Sequence, residues 1–337
     1  MDWMESQHLA PDHAVRIDLI SKLKGIQMAE EYFQSLPDLS KNHQTHGALL
    51  SCYCSKKLGE KAVAIFEKMK ELGLVTGALE YNNLMTLHMK SGQAHEVERM
   101  FDEMKASNTL PDKCSYKILL ESYALQNDID SIERIVQGIE QNEGAWDWSV
   151  YCHLAAIYNS AKLFEKSRVS LKKAELVMNG RDTSPFPFLL SLYAGAGDLL
   201  EVKRVWGLLK ARIHGTRPPT NKEYLALLQA LKRFDDIDAM RDFFKEWELN
   251  LVSYDQKLMN AMIEAYLEKN MVEEARLLLE TTAGEGIPPV LKSFWLFIHY
   301  YSRTGERDRA REWSSEASSF VKRGFKWECL ERCLGRL

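Results

Sequence analysis

The chain repeats itself every 35 residues. The string Tyr81-Asn82-x-Leu84-Met85 returns as Tyr116-Lys117-x-Leu119-Leu120, as Tyr151-Cys152-x-Leu154-Ala155 and as Phe186-Pro187-x-Leu189-Leu190. One step upstream it reads His46-Gly47-x-Leu49-Leu50. The next match after Phe186 is Tyr224, 38 residues on, and Gly215 to Pro219 is the place for three inserted residues. The 35-residue step then resumes with Met259-Asn260-x-Met262-Ile263 and Phe294-Trp295-x-Phe297-Ile298, which makes eight units. A unit this short cannot bury its own apolar face. It must stack on its neighbours, so the period restricts the fold more than any local propensity.

Inside each unit the apolar spacing is helical. Tyr116, Leu119, Leu120 and Tyr123 stand at i, i+3, i+4 and i+7, one face of a first helix. A second helix follows at i, i+4, i+7: Ala62, Phe66, Met69; Val97, Phe101, Met104; Val202, Trp206, Leu209; Met240, Phe244, Trp247; and, in part, Ala275, Leu279. Between the two lies a residue that tolerates a left-handed backbone: Gly92, Asn127, Gly197, Asn270 or Gly305. Pro111-Asp112 and Pro289 close units where a helix must stop. No strand signal of comparable length occurs. The expected fold is all-α, a right-handed superhelical solenoid of stacked helical hairpins. Residues 1–42 form an N-terminal helical cap with a shortened repeat, Asp18 to Leu23 followed by Ala29 and Phe33. Repeats 1–4 fill 43–182, repeat 5 with its insertion 183–220, repeats 6–8 fill 221–325, and a capping helix ends the chain over 326–337.

Several function classes drop out. Forty-four basic against 48 acidic residues give a net charge of −4, unlike a protein that simply coats nucleic acid. The longest aromatic-aliphatic run, Phe294 to Tyr301, is too short for a bilayer, so no membrane partner is expected. The six cysteines form no C-x-x-C, and Cys329 with Cys333, on one helix face, read as buried thiols of a reducing compartment. No metal site is expected. Phosphate-cradling glycine loops, nucleophile elbows and zinc-protease motifs are missing, and His95-Glu96 lies on a helix surface. The chain is therefore expected to be no enzyme, with no cofactor and no small-molecule substrate. Asp2, Glu5 and Asp12 differ from an organelle-targeting leader, so the mature chain starts near Met1 or a presequence precedes it.

Eight units of 35, with Tyr-Asn-x-Leu-Met near the start, Val-x3-Phe-x2-Met in the second helix and Pro-Asp at the close, resemble the pentatricopeptide-repeat proteins. The resemblance covers roughly residues 43 to 325; 78–112 carry the pattern almost intact and the last two units loosely. The tetratricopeptide family, a protein-binding adaptor class, is the competitor. Its period is 34, and it places a small residue where this chain has Leu50, Met85, Leu120, Leu190, Leu228, Ile263 and Ile298.

The resemblance implies binding of single-stranded RNA, one base per repeat, read by the fifth and last residues while the second wedges between bases. On that basis Asn82 with Asp112 matches the pairing associated with uracil. Lys117 with Asp147 and Cys152 with Asp182 keep the acid and lose the partner. Gly47 with Gly77 has nothing to read with, Pro187 and Leu225 carry no hydrogen-bond group, Asn260 is followed by Val290, and Trp295 offers only stacking. The second position holds Lys222, Lys257 and Lys292, a ladder of charges for phosphates. Residues 290–337, Arg303 among them, carry ten basic against six acidic residues, a net of +4 that leaves −8 for the rest. The expected RNA contacts are thus Asn82, Asp112, Lys117, Asp147, Lys222, Lys257, Asn260, Lys292, Trp295 and Arg303. So few reading pairs fit a structural component of the plant mitochondrial ribosome, with rRNA and ribosomal proteins as partners. The alternative is an organellar factor for mRNA stability, splicing or translation, and the chloroplast is the alternative compartment.

Overall fold

The computed structural model describes residues 12–140, 146–250, 253–284, 287 and 289–322; within them the chain forms 18 α-helices and no strand. The chain divides into two compact units, Met1–Ala161 and Lys162–Leu337. The first carries α1 (His13–Leu23), α2 (Ile26–Ser35), α3 (His43–Ser55), α4 (Gly59–Glu71), α5 (Ala78–Lys90), α6 (Ala94–Ala106), α7 (Lys113–Leu125), α8 (Ile129–Glu140) and α9 (Trp148–Ser160). The second carries α10 (Phe164–Leu176), α11 (Phe186–Gly195), α12 (Leu199–Ile213), α13 (Asn221–Lys232), α14 (Ile237–Leu249), α15 (Gln256–Glu268), α16 (Val272–Gly284), α17 (Leu291–Thr304) and α18 (Arg307–Lys322). The expected capping helix over 326–337 lies outside the described residues, as do Cys329 and Cys333.

Each unit is a stack of helical hairpins. In the first, α1, α3, α5, α7 and α9 pack each on the next, while α2, α4 and α6 touch the odd helix of the following hairpin. The second repeats this with α11, α13, α15 and α17 in file and α10, α12 and α14 bridging forward. The periodic apolar residues form this core: Phe66, Tyr81, Leu84, Met85 and Met104 are all buried, as are Leu189, Leu190, Tyr224 and Leu228 in the second unit.

One aromatic contact recurs at the junctions. The second-helix aromatic meets the fourth residue of the next repeat edge-on or tilted: Phe66 on Tyr81 at 5.1 Å, Phe101 on Tyr116 at 5.3 Å and Trp206 on Tyr224 at 5.1 Å between centroids. Phe33 on His46, at 4.9 Å, makes the same contact from the N-terminal hairpin. Such pairs add about 0.5–1.5 kcal/mol to the burial of their area. Trp206 keeps the contact across the three-residue insertion. The extra length is shared between α12, which runs two residues beyond its 13-residue counterparts, and the loop after it. There Arg217 grips both oxygens of the buried Glu223 at 2.8 and 2.9 Å and reaches Thr183 at 3.0 Å.

The hairpin turns are as regular as the core. A left-handed residue recurs at Lys57, Gly92, Asn127, Lys162, Gly197, Asp235, Asn270 and Gly305, in the repeat's own step. Next to it an N–H reaches back five residues to a carbonyl, as from Leu58 to Tyr53, Gln93 to His88, Asp128 to Tyr123, Asp198 to Tyr193 and Met271 to Tyr266. This helix stop satisfies carbonyls that would otherwise be orphaned. Helix starts are capped by side chains, among them Asn42, Asp112, Asp147, Thr220 and Asp255. Asp12 caps α1, so that helix begins five residues before the expected Asp18.

Candidate nucleic-acid interface

Asn82 sits in the second turn of α5, and Asp112 caps α7 of the next hairpin. Stacking α7 on α5 brings them together: Nδ2 of Asn82 donates to Oδ1 of Asp112 at 3.1 Å. A third residue completes the site. The hydroxyl of Ser115, fully buried, donates to Oδ1 of Asn82 at 2.7 Å and so fixes which way the amide points. Oδ1 of Asp112 also accepts from the backbone N–H groups of Cys114 and Ser115, each at 2.9 Å. Among the described residues Oδ2 of Asp112 and the second N–H of Asn82 have no partner, so the cluster presents one acceptor beside one donor. Adjacent acceptor and donor match the N3–H and carbonyl edge of uracil. Burial pushes the Asp112 carboxyl up, yet the hydrogen bonds from Ser115, Asn82 and Cys114 outweigh it and hold it below the usual carboxylate range.

The other units diverge. Lys117 does not touch Asp147; its Nζ donates to Ser149 Oγ at 2.8 Å, and that hydroxyl donates on to Asp147 Oδ1 at 2.6 Å. Asp147 caps α9 and takes Lys113 at 3.3 Å. Burial again raises its carboxyl, and Ser149, Lys113 and the capped N–H groups win and lower it. Asn260 is buried and its Oδ1 accepts from Ser293 at 2.7 Å, but Val290 offers no acid opposite. Gly47, the fifth residue of its repeat, has no side chain to offer; Oε1 of Glu80 lies 3.9 Å from where a Cβ would stand, an ordinary van der Waals distance. The other oxygen of Glu80 is buried with no hydrogen-bond partner.

Ser115, Ser293 and Glu80 are missed by a search of the fifth and last residues alone. Each lies 33 residues after the fifth residue of a repeat, and that offset is the signal that finds it.

Lys222, Lys257 and Lys292 start α13, α15 and α17, three helices packed in file. All three are exposed and none forms an ion pair among the described residues; Lys222 lies over the Phe188 ring at 5.7 Å. Three lysines on the second helices are differently placed. Lys70 pairs with Glu103 at 2.6 Å, Lys172 with Glu201 at 2.6 Å and Lys210 with Glu246 at 2.8 Å, so their charge is spent between hairpins. Trp295 is 41% exposed, and Arg303 is exposed on the same helix. Trp146, Trp206 and Trp247 are buried in packing roles. Among the described residues no group of His, Cys, Asp and Glu is placed to hold a metal ion, and no helix is long and apolar enough to cross a membrane.

Comparison with known proteins bears on this arrangement. The PPR repeat family model matches residues 79–124, and a PPR repeat model matches 44–74 and 258–287. A mitochondrial pentatricopeptide repeat-containing protein of Arabidopsis thaliana is 38% identical over 315 residues, 92% of this chain and 58% of that protein. A second mitochondrial one is 30% identical over 331 residues, 96% of this chain and 67% of that protein. The large ribosomal subunit protein mL101 of the same plant is 36% identical over 318 residues, 94% of this chain and 64% of its own length. The chain thus spans little more than half the length of some of these relatives. In fold it is similar to the pentatricopeptide repeat protein PPR10, solved with an 18-nt psaJ RNA element. The TM-score is 0.63 at 16% identity, over 96% of this chain and 52% of the other.

Proposed function

The chain belongs to the pentatricopeptide repeat family, and from that premise we propose that it binds single-stranded RNA without catalysing a reaction, as a structural component of the plant mitochondrial ribosome. Its compartment is the mitochondrion, shared with the relatives of 38% and 30% identity. The observation that carries the RNA reading is the set of exposed lysines without an ion pair among the described residues at the starts of α13, α15 and α17, set against Lys70, Lys172 and Lys210 on second helices, which acids already hold. Point charges of this kind hold phosphates and do not read bases.

The ribosomal reading is supported by how few units can discriminate a base. Among the described residues Asn82–Asp112 is the fifth-and-last pair in direct hydrogen-bond contact; Gly47, Pro187 and Leu225 offer no side-chain hydrogen-bond group, and Asn260 lacks its acid. A protein of this composition gains affinity from neighbouring proteins and folded rRNA. The 36% identity to a large-subunit ribosomal protein supports the same placement.

Gradient sedimentation of mitochondrial extract in moderate salt tests it. The chain is expected in the ribosomal fractions, while the purified protein binds arbitrary single-stranded RNA weakly. Tight, sequence-selective binding by free protein that stays at the top of the gradient would instead make it an mRNA factor.

A further inference from the structure

The exposed face of α17 holds a feature that the two stacked helices before it lack. Lys292, Trp295, His299 and Arg303 stand at i, i+3, i+7 and i+11, one helix face, and all four are exposed. The two rings lie nearly parallel, 7° apart with centroids 5.0 Å apart. Neither Lys292 nor Arg303 has an acid within ion-pair range among the described residues. One repeat earlier the same face of α15 reads Lys257, Asn260, Glu264 and Glu268, and Lys232 holds those two acids at 3.0 and 2.8 Å. The face thus changes from a neutralised acidic strip to an aromatic strip with a cation at each end.

We propose that Trp295 and His299 form a platform on which an unpaired purine of RNA stacks, while Lys292 and Arg303 hold the phosphates on either side of it. The proposal rests on the RNA-binding reading above and adds to it a base contact made by surface overlap in place of hydrogen bonds. Eleven residues of helix separate the two cations, roughly 16 Å, room for a stacked base with its flanking phosphates. A stacked pair already ordered spares a base much of the entropy of immobilising a lone ring. Stacking accepts any base because each has a π-face, and the larger purines cover more of the indole. The last hairpin would then contribute grip to RNA binding without contributing sequence information.

The test compares two probes on the 337-residue chain: an RNA of eight adenosines, and a ribose-phosphate oligomer of equal length without bases. Fluorescence anisotropy across a salt series reads both. Wild type is expected to prefer the adenosine RNA. Trp295→Ala should weaken that RNA about tenfold, leave the base-free oligomer unchanged and leave the salt slope unchanged. Trp295→Phe should restore most of the loss, and unchanged binding of the base-free oligomer by Trp295→Ala excludes a fold defect. Lys292→Ala with Arg303→Ala should weaken both probes and flatten the slope. Equal losses on the two probes in Trp295→Ala, no loss on either, or a wild type indifferent to the presence of bases would each overturn the platform and leave the RNA-binding reading standing. A wild type that binds neither probe would overturn both.

Discussion

Ser115 shows how much one hydroxyl can decide. It is fully buried, and without it Oδ1 of Asn82 keeps no donor and the amide is held by its bond to Asp112 alone. Ser115→Ala should therefore lower stability by about 1–3 kcal/mol, read as a fall in the urea midpoint, and should weaken any preference for uracil at that unit. The carboxylates give a pH signature. Asp112 and Asp147 have lowered folded-state pKa values, so the stability they lend is present above the unfolded value of about 3.9 and is lost as pH falls through the folded one. Urea midpoints should hold between pH 7 and 5 as far as these groups are concerned and fall below about pH 4. Asp112→Asn with Asp147→Asn keeps two good helix caps and should make that acid fall shallower. A fall of unchanged steepness would show that other groups carry it. The Asn82–Asp112 contact was legible in the sequence because both ends are motif positions. The Ser115 contact was not, since a serine on a helix start looks the same whether or not a neighbouring hairpin delivers an amide to it.

At the level of the element, the left-handed turn residues carry the most direct consequence. Lys57 and Lys162 adopt a backbone that a side chain with a Cβ resists, where Gly92, Gly197 and Gly305 meet no such resistance. Lys57→Gly and Lys162→Gly should each raise stability by up to about 1 kcal/mol, the relief of strain exceeding the extra freedom of the unfolded chain. Gly92→Ala should cost about the same, and the cost is backbone alone, because nothing lies within 4 Å of the added Cβ. Thermal denaturation of the three variants checks both signs. Helix pairs and their order follow from the period, since apolar positions 3.6 residues apart repeated every 35 admit few alternatives. What the period hides is local. The cap at Asp12 sets where α1 begins, and α12 absorbs two of the inserted residues as helix. Both depend on particular side chains outside the repeated pattern.

For the molecule as a whole, charge sorts by role. On the second helices Lys70, Lys172 and Lys210 are tied to acids of adjacent hairpins, each such exposed pair worth about 0–1 kcal/mol, whereas Lys222, Lys257 and Lys292 at the starts of α13, α15 and α17 form no ion pair among the described residues. Lys222→Ala, Lys257→Ala and Lys292→Ala combined should reduce the log–log salt slope of RNA binding by roughly 2, about 0.7 for each phosphate of a single strand that is no longer neutralised. An unchanged slope would remove these lysines from the interface. Their 35-residue spacing was plain in the sequence. That they are unpaired was not, because an ion pair between hairpins depends on which acid a neighbour presents.

A turn that closes on a carbonyl five residues back needs no distant partner, and the chain has such a turn in hairpin after hairpin. The chain can therefore fold in the order in which it is made, each hairpin setting on the one before it and leaving one open side for the next to cover. Little of it need stay exposed while the remainder is synthesised, which limits the time available for aggregation.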